Sequence, residues 1–278
     1  MSRLGGKVAL VSGAARGQGR SHCVVAAREG AAVIGFDVCG PSVAGAPYPP
    51  STAQDLETTK ELVLAEGGQM LACPADVRDR AAVDTVVAEG LAAFGRLDVV
   101  VANAGVVSPA PAETLTREAW QTLLDVNLTG VWNTISAALP ALLEAAPGSS
   151  IVITSSANGG MKAPAHLAHY AASKFGVVGL ARSLANELGP RGVRVNTVHP
   201  TAVDTDMIQN ETTYRLFAPD APHPGRADVE PLFRSFHSLP VPWVQPVDVS
   251  NAIVWLASDE ARYVTGVALP VDAGLAAK

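Results

Sequence analysis

The sequence predicts an α/β fold in which helices cover both faces of one doubly wound parallel sheet. Short runs rich in Val, Ile and Ala alternate with longer amphipathic segments along the 278 residues, a pattern typical of parallel strands buried on both faces. A glycine-rich turn at residues 13–19 separates the first apolar run from the first amphipathic segment. No linker or internal repeat interrupts this alternation, so we expect one domain over residues 1–278.

Seven apolar runs are predicted to form the strands, and amphipathic segments between them the helices. The strands are expected at residues 7–12, 32–37, 69–73, 97–102, 150–154, 194–198 and 267–271. The clearest helices are expected at residues 19–29, 55–66, 79–94 and 168–188. Because crossovers between parallel strands are right-handed, these elements give a doubly wound sheet.

Composition and charge argue against two classes of partner. The net charge is −6 and no cluster of Lys and Arg offers a phosphate-binding stripe, so we expect no nucleic acid. No apolar run reaches the ~18 to 20 residues of a membrane span, and the N-terminal run ends in the glycine turn, which predicts neither a membrane segment nor a signal peptide. Three widely spaced cysteines favour reduced thiols in a cytoplasmic protein.

Two histidines have a spacing that metal sites also use. His166 and His169 form H-x-x-H, but the sequence offers no third ligand close by. We therefore expect no metal.

Two proline-rich segments interrupt the alternation of strands and helices. Residues 39–53 carry four prolines, and residues 206–246 carry seven together with several aromatic residues. Long loops in a compact domain are usually functional or disordered. We interpret 206–246 as an apolar lid over a substrate pocket, with a surface insertion or a subunit contact as the alternative.

The glycine turn is suited to a phosphate group. Gly13, Gly17 and Gly19 allow a tight turn and a close approach of backbone to a ligand, and the helix that follows presents free N–H groups. The spacing alone is a weak signal, whereas its position between a strand and a helix is specific. With the predicted sheet, this turn indicates a dinucleotide-binding fold of the Rossmann type.

Asp37 ends the second predicted strand, 18 residues after Gly19. A carboxylate there can accept hydrogen bonds from both ribose hydroxyls and would repel a 2′-phosphate, which favours NAD over NADP. Arg16 argues the other way, because a basic residue in the turn can bind that phosphate. Asp37 could also simply cap the strand.

Tyr170 and Lys174 lie four residues apart and therefore share one face of the predicted helix 168–188. A neighbouring ammonium favours the phenolate, so we predict that the pKa of Tyr170 falls from ~10 toward neutrality. Such a tyrosine can exchange a proton with an alcohol oxygen.

Several motifs occur in an order that resembles the short-chain dehydrogenase/reductase family over nearly the whole sequence. They include G-A-A-R-G-Q-G at 13–19, N-A-G at 103–105, T-S-S at 154–156 and the Tyr170-x-x-x-Lys174 pair. The resemblance implies a Rossmann fold and hydride transfer between an alcohol and NAD. It also implies four catalytic residues, namely Asn127, Ser156, Tyr170 and Lys174. Ser156 is preferred to Ser155, although it lies 14 residues before Tyr170 and the commonest family spacing is one residue shorter.

The same resemblance implies a cofactor-binding set. Asn127 is expected to hold a water that links Lys174 to solvent, and Lys174 to bind the nicotinamide ribose. Asp76 and Val77 are expected to meet the adenine. The full set is Gly13, Arg16, Gly17, Gln18, Gly19, Asp37, Asp76, Val77, Asn103, Ala104, Gly105, Tyr170, Lys174, Pro200, Val203 and Thr205. Within it, Val203 and Thr205 are expected to hold the nicotinamide carboxamide.

A narrower resemblance concerns one branch of the family. The phrase AARGQGRSH, the insertion 39–53 and the His-Pro-Thr at 199–201 are similar to the carveol-dehydrogenase-like, mycofactocin-associated branch. That branch implies NAD held without ready exchange, covered by the insertion and recycled in place by mycofactocin, a peptide-derived redox carrier. The family implies a homotetramer built partly on helix 168–188.

The substrate is expected to be a hydrophobic secondary alcohol, carveol-like or otherwise alicyclic. The residues expected to face it are Met161, Pro164, His166 and Met207. Two alternatives remain at this point. One is an NADP(H)-dependent carbonyl reductase, and the other is a non-catalytic dinucleotide-binding sensor.

Overall fold

A seven-stranded parallel sheet forms the centre of the computed structural model, which describes residues 2–41, 43 and 46–278. The strand order is β3-β2-β1-β4-β5-β6-β7. The strands are β1 Val8–Ser12, β2 Ala32–Asp37, β3 Met70–Pro74, β4 Val99–Ala102, β5 Ser149–Thr154, β6 Val193–Pro200 and β7 Ala268–Val271. The chain builds outward from β1 and then from β4, so the strand order reverses between these two strands and opens a crevice at their carboxyl ends. The predicted doubly wound parallel sheet is confirmed.

Helices pack on both faces of the sheet. They are α1 Gly17–Arg28, α2 Ala53–Ala65, α3 Arg80–Phe94, α4 Arg117–Leu124, α5 Gly130–Ala145, the short α6 Ala157–Gly160, α7 Ala168–Leu188, α8 Glu211–Phe217, α9 Arg226–Phe236 and α10 Pro246–Ala257. Along β1, Leu10 belongs to the apolar core under α3, α5 and α7, while Val11 belongs to the core under α1, α2 and α10. This alternation is what strands buried on both faces require.

The segment 206–246 is partly helical, which differs from the predicted loop. Asn210 begins α8 by accepting a hydrogen bond from Thr213 N (2.9 Å), a typical N-cap. Helices α8 and α9 enclose an aromatic cluster whose ring centroids lie 4.8–6.1 Å apart at edge-on angles. The cluster consists of Phe217, Phe233, Phe236 and Trp243. The segment therefore forms two short helices that have a small core of their own.

The insertion 39–53 is described except at positions 42, 44 and 45, which lie outside the described residues. It begins at Cys39, whose φ of 46° turns the chain away from β2, and it ends where Thr52 and Asp55 form the capping box of α2. Between these points Tyr48 is buried, and its hydroxyl accepts a hydrogen bond from Val107 N (3.1 Å). The insertion therefore folds back toward the loop that follows β4.

The described residues were also compared with the requirements of a membrane span and of a metal site. None of their helices combines the length and the apolarity that a membrane crossing requires. They also contain no group of three or more His, Cys, Asp or Glu side chains arranged to hold a metal ion.

Candidate active site

The glycine turn joins β1 to α1 in a conformation that needs glycine. Gly13 and Gly17 have φ of +71° and +55°, in the left-handed region. A Cβ on Gly19 would lie only 1.8 Å from Gly13 O. In the described chain no side chain caps the N-terminus of α1, so its free N–H groups face the crevice and suit an anion.

Asp37 connects the glycine turn to the insertion. Its Oδ2 accepts a hydrogen bond from Ala15 N (3.0 Å), and its Oδ1 accepts one from Ser51 Oγ (2.6 Å). Two of the carboxylate's hydrogen-bonding positions are thus used by the protein, and each oxygen has capacity for one more donor. Asp37 serves as a strand-end anchor and still faces the cleft.

The segment after β4 packs tightly beneath the glycine turn. Ser12 Oγ accepts hydrogen bonds from Asn103 N and Ala104 N (3.0 Å each), and Asn103 Nδ2 donates to Ser12 O (3.1 Å). A Cβ on Gly13 would lie 3.0 Å from Ala104 Cα. The carboxyl ends of β1 and β4 are therefore locked together below the crevice.

One cleft collects most of the residues expected to bind the cofactor. They are Gly13, Arg16, Gly17, Gln18, Gly19, Asp37, Asp76, Val77, Asn103, Ala104, Gly105 and Thr205. On the opposite wall, Thr205 Cγ2 lies 3.4 Å from where a Cβ on Gly17 would be. Val203 is buried next to Thr205, and Pro200 ends β6 behind them.

Asp76 at the far end of the cleft is held by an arginine. Arg78 Nη2 lies 2.6 Å from Asp76 Oδ2. Burial alone would raise the pKa of Asp76, but the hydrogen bonds from Arg78 outweigh it, so the pKa is lowered. This end of the cleft therefore carries an ionised carboxylate.

Ser156, Tyr170 and Lys174 do not line this cleft, but they lie close to it, since Lys174 Nζ is 3.4 Å from the position of a Cβ on the cleft residue Gly105. The Ser156 hydroxyl lies close enough to the phenol of Tyr170 to lower its pKa. Ser155 points elsewhere, and its Oγ donates to Lys174 O (2.9 Å). Of the two serines, the structure brings Ser156 to the tyrosine.

Lys174 is buried near Tyr170, but its ammonium group is directed at another acceptor. Lys174 Nζ donates to Thr154 O (2.8 Å) and lies 5.9 Å from the centroid of the Tyr170 ring. Burial lowers the pKa of Lys174 to about 8. This cation is costly to bury, and a backbone carbonyl holds it.

The predicted fall in the pKa of Tyr170 is wrong for this structure. Burial raises the pKa of Tyr170 to about 12, the neighbouring Ser156 hydroxyl opposes that rise, and nearby Tyr48 adds to it. The prediction failed because sequence spacing does not show where Lys174 directs its charge. Desolvation of the phenol is the larger effect here.

Asn127 lies in a π-helical turn, Asp125–Thr129, between α4 and α5. Its Oδ1 accepts from Val106 N (2.8 Å), and its Nδ2 donates to Val106 O (2.8 Å) and to Ser173 Oγ (3.3 Å). Asn127 Oδ1 and Lys174 Nζ each lie 3.4 Å from the position of a Cβ on Gly105. Such turns often occur at functional sites, and here one brings Asn127 beside the lysine.

The four residues expected to face the substrate are not brought together. Met207 lines the cleft and Met161 is half-buried, whereas Pro164 and His166 are exposed. His166 has a φ of +63° in the loop before α7. Of the two histidines in the H-x-x-H spacing, His169 is buried and His166 is not.

Sequence reasoning missed two residues of this region. Tyr48 reaches the cleft from the insertion, and Asp204 binds several side chains of the segment 206–246. The only signal for Tyr48 was an aromatic residue among prolines, and no signal in the sequence pointed to the partners of Asp204.

The cleft fits a dinucleotide. Its glycine turn folds so closely that a Cβ on Gly13 or Gly19 would meet neighbouring backbone, and Gln18 Oε1 is buried without a hydrogen-bond partner in the described part of the chain. A buried unsatisfied acceptor in a ligand cleft invites a donor from the ligand. The fold and the site together define a dinucleotide-binding dehydrogenase.

Comparison with known proteins gives the family. A family model described as enoyl-(acyl carrier protein) reductase matches residues 13–276. The (−)-trans-carveol dehydrogenase of Rhodococcus erythropolis is 50% identical over 279 residues and covers 100% of both chains. A 3-alpha-(or 20-beta)-hydroxysteroid dehydrogenase of Mycobacterium tuberculosis is 38% identical, covering 99% of this chain and 91% of its own. The chain belongs to the short-chain dehydrogenase/reductase family, as predicted.

Solved structures agree with this result. The crystal structure of carveol dehydrogenase from Mycobacterium avium in complex with NAD has a TM-score of 0.97 at 50% identity, over 100% of both chains. A short-chain dehydrogenase from Mycobacterium paratuberculosis bound to NAD has a TM-score of 0.90 at 40% identity, over 99% of this chain and 100% of that one. The predicted likeness to carveol dehydrogenases is confirmed, and the predicted link to mycofactocin stays a prediction.

Proposed function

We propose that this protein is an NAD-dependent dehydrogenase that oxidises a hydrophobic secondary alcohol, carveol-like or otherwise alicyclic, to its ketone. The observation that carries the proposal is the cluster of Ser156, Tyr170 and Lys174 beside a dinucleotide cleft. The carveol dehydrogenases that it resembles support this class of substrate.

The chain's own residues divide the work of the reaction. The residues of the cleft would hold NAD, which would supply the acceptor for the hydride of the alcohol carbon. Tyr170 takes the hydroxyl proton, and Ser156 donates a hydrogen bond to the alcohol oxygen as charge develops on it. Asn127 lies beside Lys174 at the rear of the site, where it would hold the water that links Lys174 to solvent.

The raised pKa of Tyr170 sets a condition on this chemistry. At neutral pH the phenol keeps its proton, so oxidation requires the charge of Lys174 to turn from Thr154 O toward the phenol. A protonated Tyr170 suits the reverse reaction, in which the phenol protonates a ketone oxygen. Ketone reduction is therefore the second candidate, and Asp37 in the cleft favours NADH over NADPH for it.

The arrangement of Arg16 supports tight retention of the cofactor. Its guanidinium lies 5.5 Å from the centroid of the Tyr48 ring and 3.6 Å from Asp206 Oδ2. One residue of the glycine turn thus contacts both the insertion 39–53 and the segment 206–246. Cofactor regeneration in place by mycofactocin, in a cytoplasmic protein, is the corresponding proposal for the redox partner.

Two exposed aromatic side chains support assembly into a homotetramer. Trp132 on α5 and Phe175 on α7 keep 44% and 45% of their surface exposed. Large apolar groups on neighbouring helices are typical of subunit contacts. We propose that copies of this chain associate through α5 and α7, which sedimentation of the purified protein would test.

The test of function begins with the dinucleotide that co-purifies, released by denaturation and identified by mass spectrometry. Carveol and other cyclic alcohols are then assayed with added NAD, and separately with an artificial electron acceptor. Activity with the acceptor alone supports retained cofactor. Tyr170→Phe should lose at least ~100-fold in turnover while keeping the dinucleotide, and absence of turnover in the native protein with every alcohol would refute the proposal.

A further inference from the structure

Asp204 lies between Val203 and Thr205, the two residues expected to hold the nicotinamide end of the cofactor. Its carboxylate binds Arg226 through both oxygens, with Arg226 Nη1 2.9 Å from Oδ1 and Nη2 2.8 Å from Oδ2. Gln209 Nε2 donates to Oδ1 (2.8 Å) and Gln245 Nε2 donates to Oδ2 (3.3 Å). All three partners belong to the segment 206–246, hereafter the lid.

The partners of Asp204 come from separate parts of the lid. Gln209 precedes α8 and accepts a hydrogen bond from Tyr214 Oη (2.9 Å). Arg226 begins α9, and its guanidinium lies 4.4 Å from the centroid of the Trp243 ring in the aromatic cluster. Both lid helices are therefore fixed relative to one carboxylate.

The backbone around Asp204 strengthens this connection. Asp204 N donates to Val244 O (2.9 Å), and Val244 N donates to Ala202 O (3.0 Å), as in a short parallel bridge. The residues that return from the lid therefore pair with residues 202–204. A shift of the lid must move the chain that carries Val203 and Thr205.

Asp204 keeps its charge in this setting. Its side chain is 16% exposed, against 50% for Arg226. Burial alone would raise the pKa of Asp204, but the hydrogen bonds from Arg226, Gln245 and Gln209 outweigh it, so the pKa is lowered. A bidentate arginine–carboxylate pair is directional as well as attractive, so it fixes orientation and not only distance.

We propose that Asp204 is a positioning residue that couples the lid to the nicotinamide-binding residues Val203 and Thr205, so that bound NAD stabilises the lid and the lid sets the substrate pocket. The substrate half of this inference rests on the proposed function, and the lid half rests on cofactor binding alone. Coupling between two sites is reciprocal. If bound NAD stabilises the ordered lid by a given factor, the ordered lid must increase the affinity for NAD by the same factor.

Hydrogen–deuterium exchange measures this coupling without any turnover. Protein freed of NAD is compared with protein saturated with NAD, and exchange is followed in peptides covering α8 and α9. We expect NAD to slow exchange there about 5- to 150-fold, the usual range for coupled sites. In Asp204→Asn, which keeps the size but loses the charge and one acceptor oxygen, this protection should largely disappear.

Two further variants separate coupling from general damage. Arg226→Gln should abolish the protection as Asp204→Asn does, and the double variant should lose no more than either single one, because the pair acts as a unit. Arg215→Gln breaks an exposed ion pair with Glu211 inside α8 (2.6 Å) and should leave the protection unchanged. If Asp204→Asn does not fold, Arg226→Gln alone tests the idea.

Kinetics of the same variants test the substrate half. We expect Asp204→Asn and Arg226→Gln to raise KM for a cyclic alcohol about tenfold or more while kcat falls less, and Arg215→Gln to change neither. Equal lid protection by NAD in the native protein and in both pair variants would overturn the inference, even if alcohols are oxidised. A native protein that oxidises no alcohol but shows the expected exchange pattern would instead refute only the proposed substrate.

Discussion

The Ser156 hydroxyl lies beside the Tyr170 phenol and lowers its pKa, although 14 residues separate the two in the chain. The neighbouring Ser155 donates instead to the backbone carbonyl of Lys174 (2.9 Å). Successive residues of an extended chain point to opposite sides. The Ser156 hydroxyl therefore lies at the phenol of Tyr170, and the Ser155 hydroxyl lies at the backbone of α7. The two serines therefore make different contacts, and we expect them to have different functions.

Alanine substitutions should separate those functions. Ser156→Ala removes a donor from the oxygen on which charge develops, so kcat should fall about 10²- to 10³-fold. Ser155→Ala removes a buried hydrogen bond worth about 1 kcal/mol of stability and should leave kcat within about tenfold of the native value. Steady-state rates and thermal unfolding of both variants check this, and equal losses of kcat would contradict the assignment.

Removal of the buried charge of Lys174 should stabilise the NAD-free protein while it destroys activity. Burial lowers the pKa of Lys174 from its ordinary 10.5 to about 8, a cost to folding of about 3 kcal/mol at neutral pH. Lys174→Met keeps a long unbranched chain without the charge. Its melting temperature at pH 7 should exceed that of the native protein by several degrees.

The pH dependence identifies the cause of that gain. Between pH 8 and 10.5 the unfolded lysine is protonated and the folded one is not, so the native protein gains stability as pH rises and the advantage of Lys174→Met disappears. Tyr170, with its pKa raised to about 12, keeps its proton while the unfolded tyrosine ionises, which destabilises both proteins above pH 10. The exposed Lys162→Met is the control, and an advantage independent of pH would exclude the charge as its source.

Local sequence was sufficient for the fold and for the glycine turn, whereas the other residues of the cleft were implied by the family resemblance. The glycine turn, β2 with its terminal Asp37, and α7 lie where they were predicted, because turn geometry and apolar periodicity depend on neighbouring residues. The pKa of Tyr170 depends on where Lys174 points and on burial, which spacing does not encode. Tyr48 and Asp204 escaped notice because their partners lie tens of residues away.

Asp37 should set the choice between NAD and NADP. Its carboxylate faces the cleft and would repel a 2′-phosphate. Asp37→Ala should narrow the preference for NAD over NADP by about tenfold or more. Ser51→Ala is the matched control, since it removes the hydrogen bond to Asp37 (2.6 Å) but not the charge, and binding of both dinucleotides is measured by calorimetry. An unchanged ratio in Asp37→Ala would show that another residue selects the cofactor.

Arg16 and Tyr48 should control how fast bound NAD leaves. Tyr48 is buried at the cleft with Arg16 over its ring, and Arg16 also pairs with Asp206. Release requires these contacts to open, so loss of the cation–π contact in Arg16→Gln should speed release roughly tenfold. Tyr48→Ala removes both the ring and the hydroxyl that accepts from Val107 N and should release NAD faster still.

Tyr48→Phe distinguishes the effect of the Tyr48 ring on NAD release from the effect of its hydroxyl. It keeps the ring under Arg16 and loses only the acceptor for Val107 N, a change of about 1 kcal/mol. Its release rate should therefore lie between those of the native protein and Tyr48→Ala. Loss of labelled NAD into an excess of unlabelled NAD, followed by mass spectrometry, measures all four proteins. The same rate in all of them would mean that the contacts of Arg16 and Tyr48 do not limit exit, and that retention depends on the glycine turn and Asp37 instead.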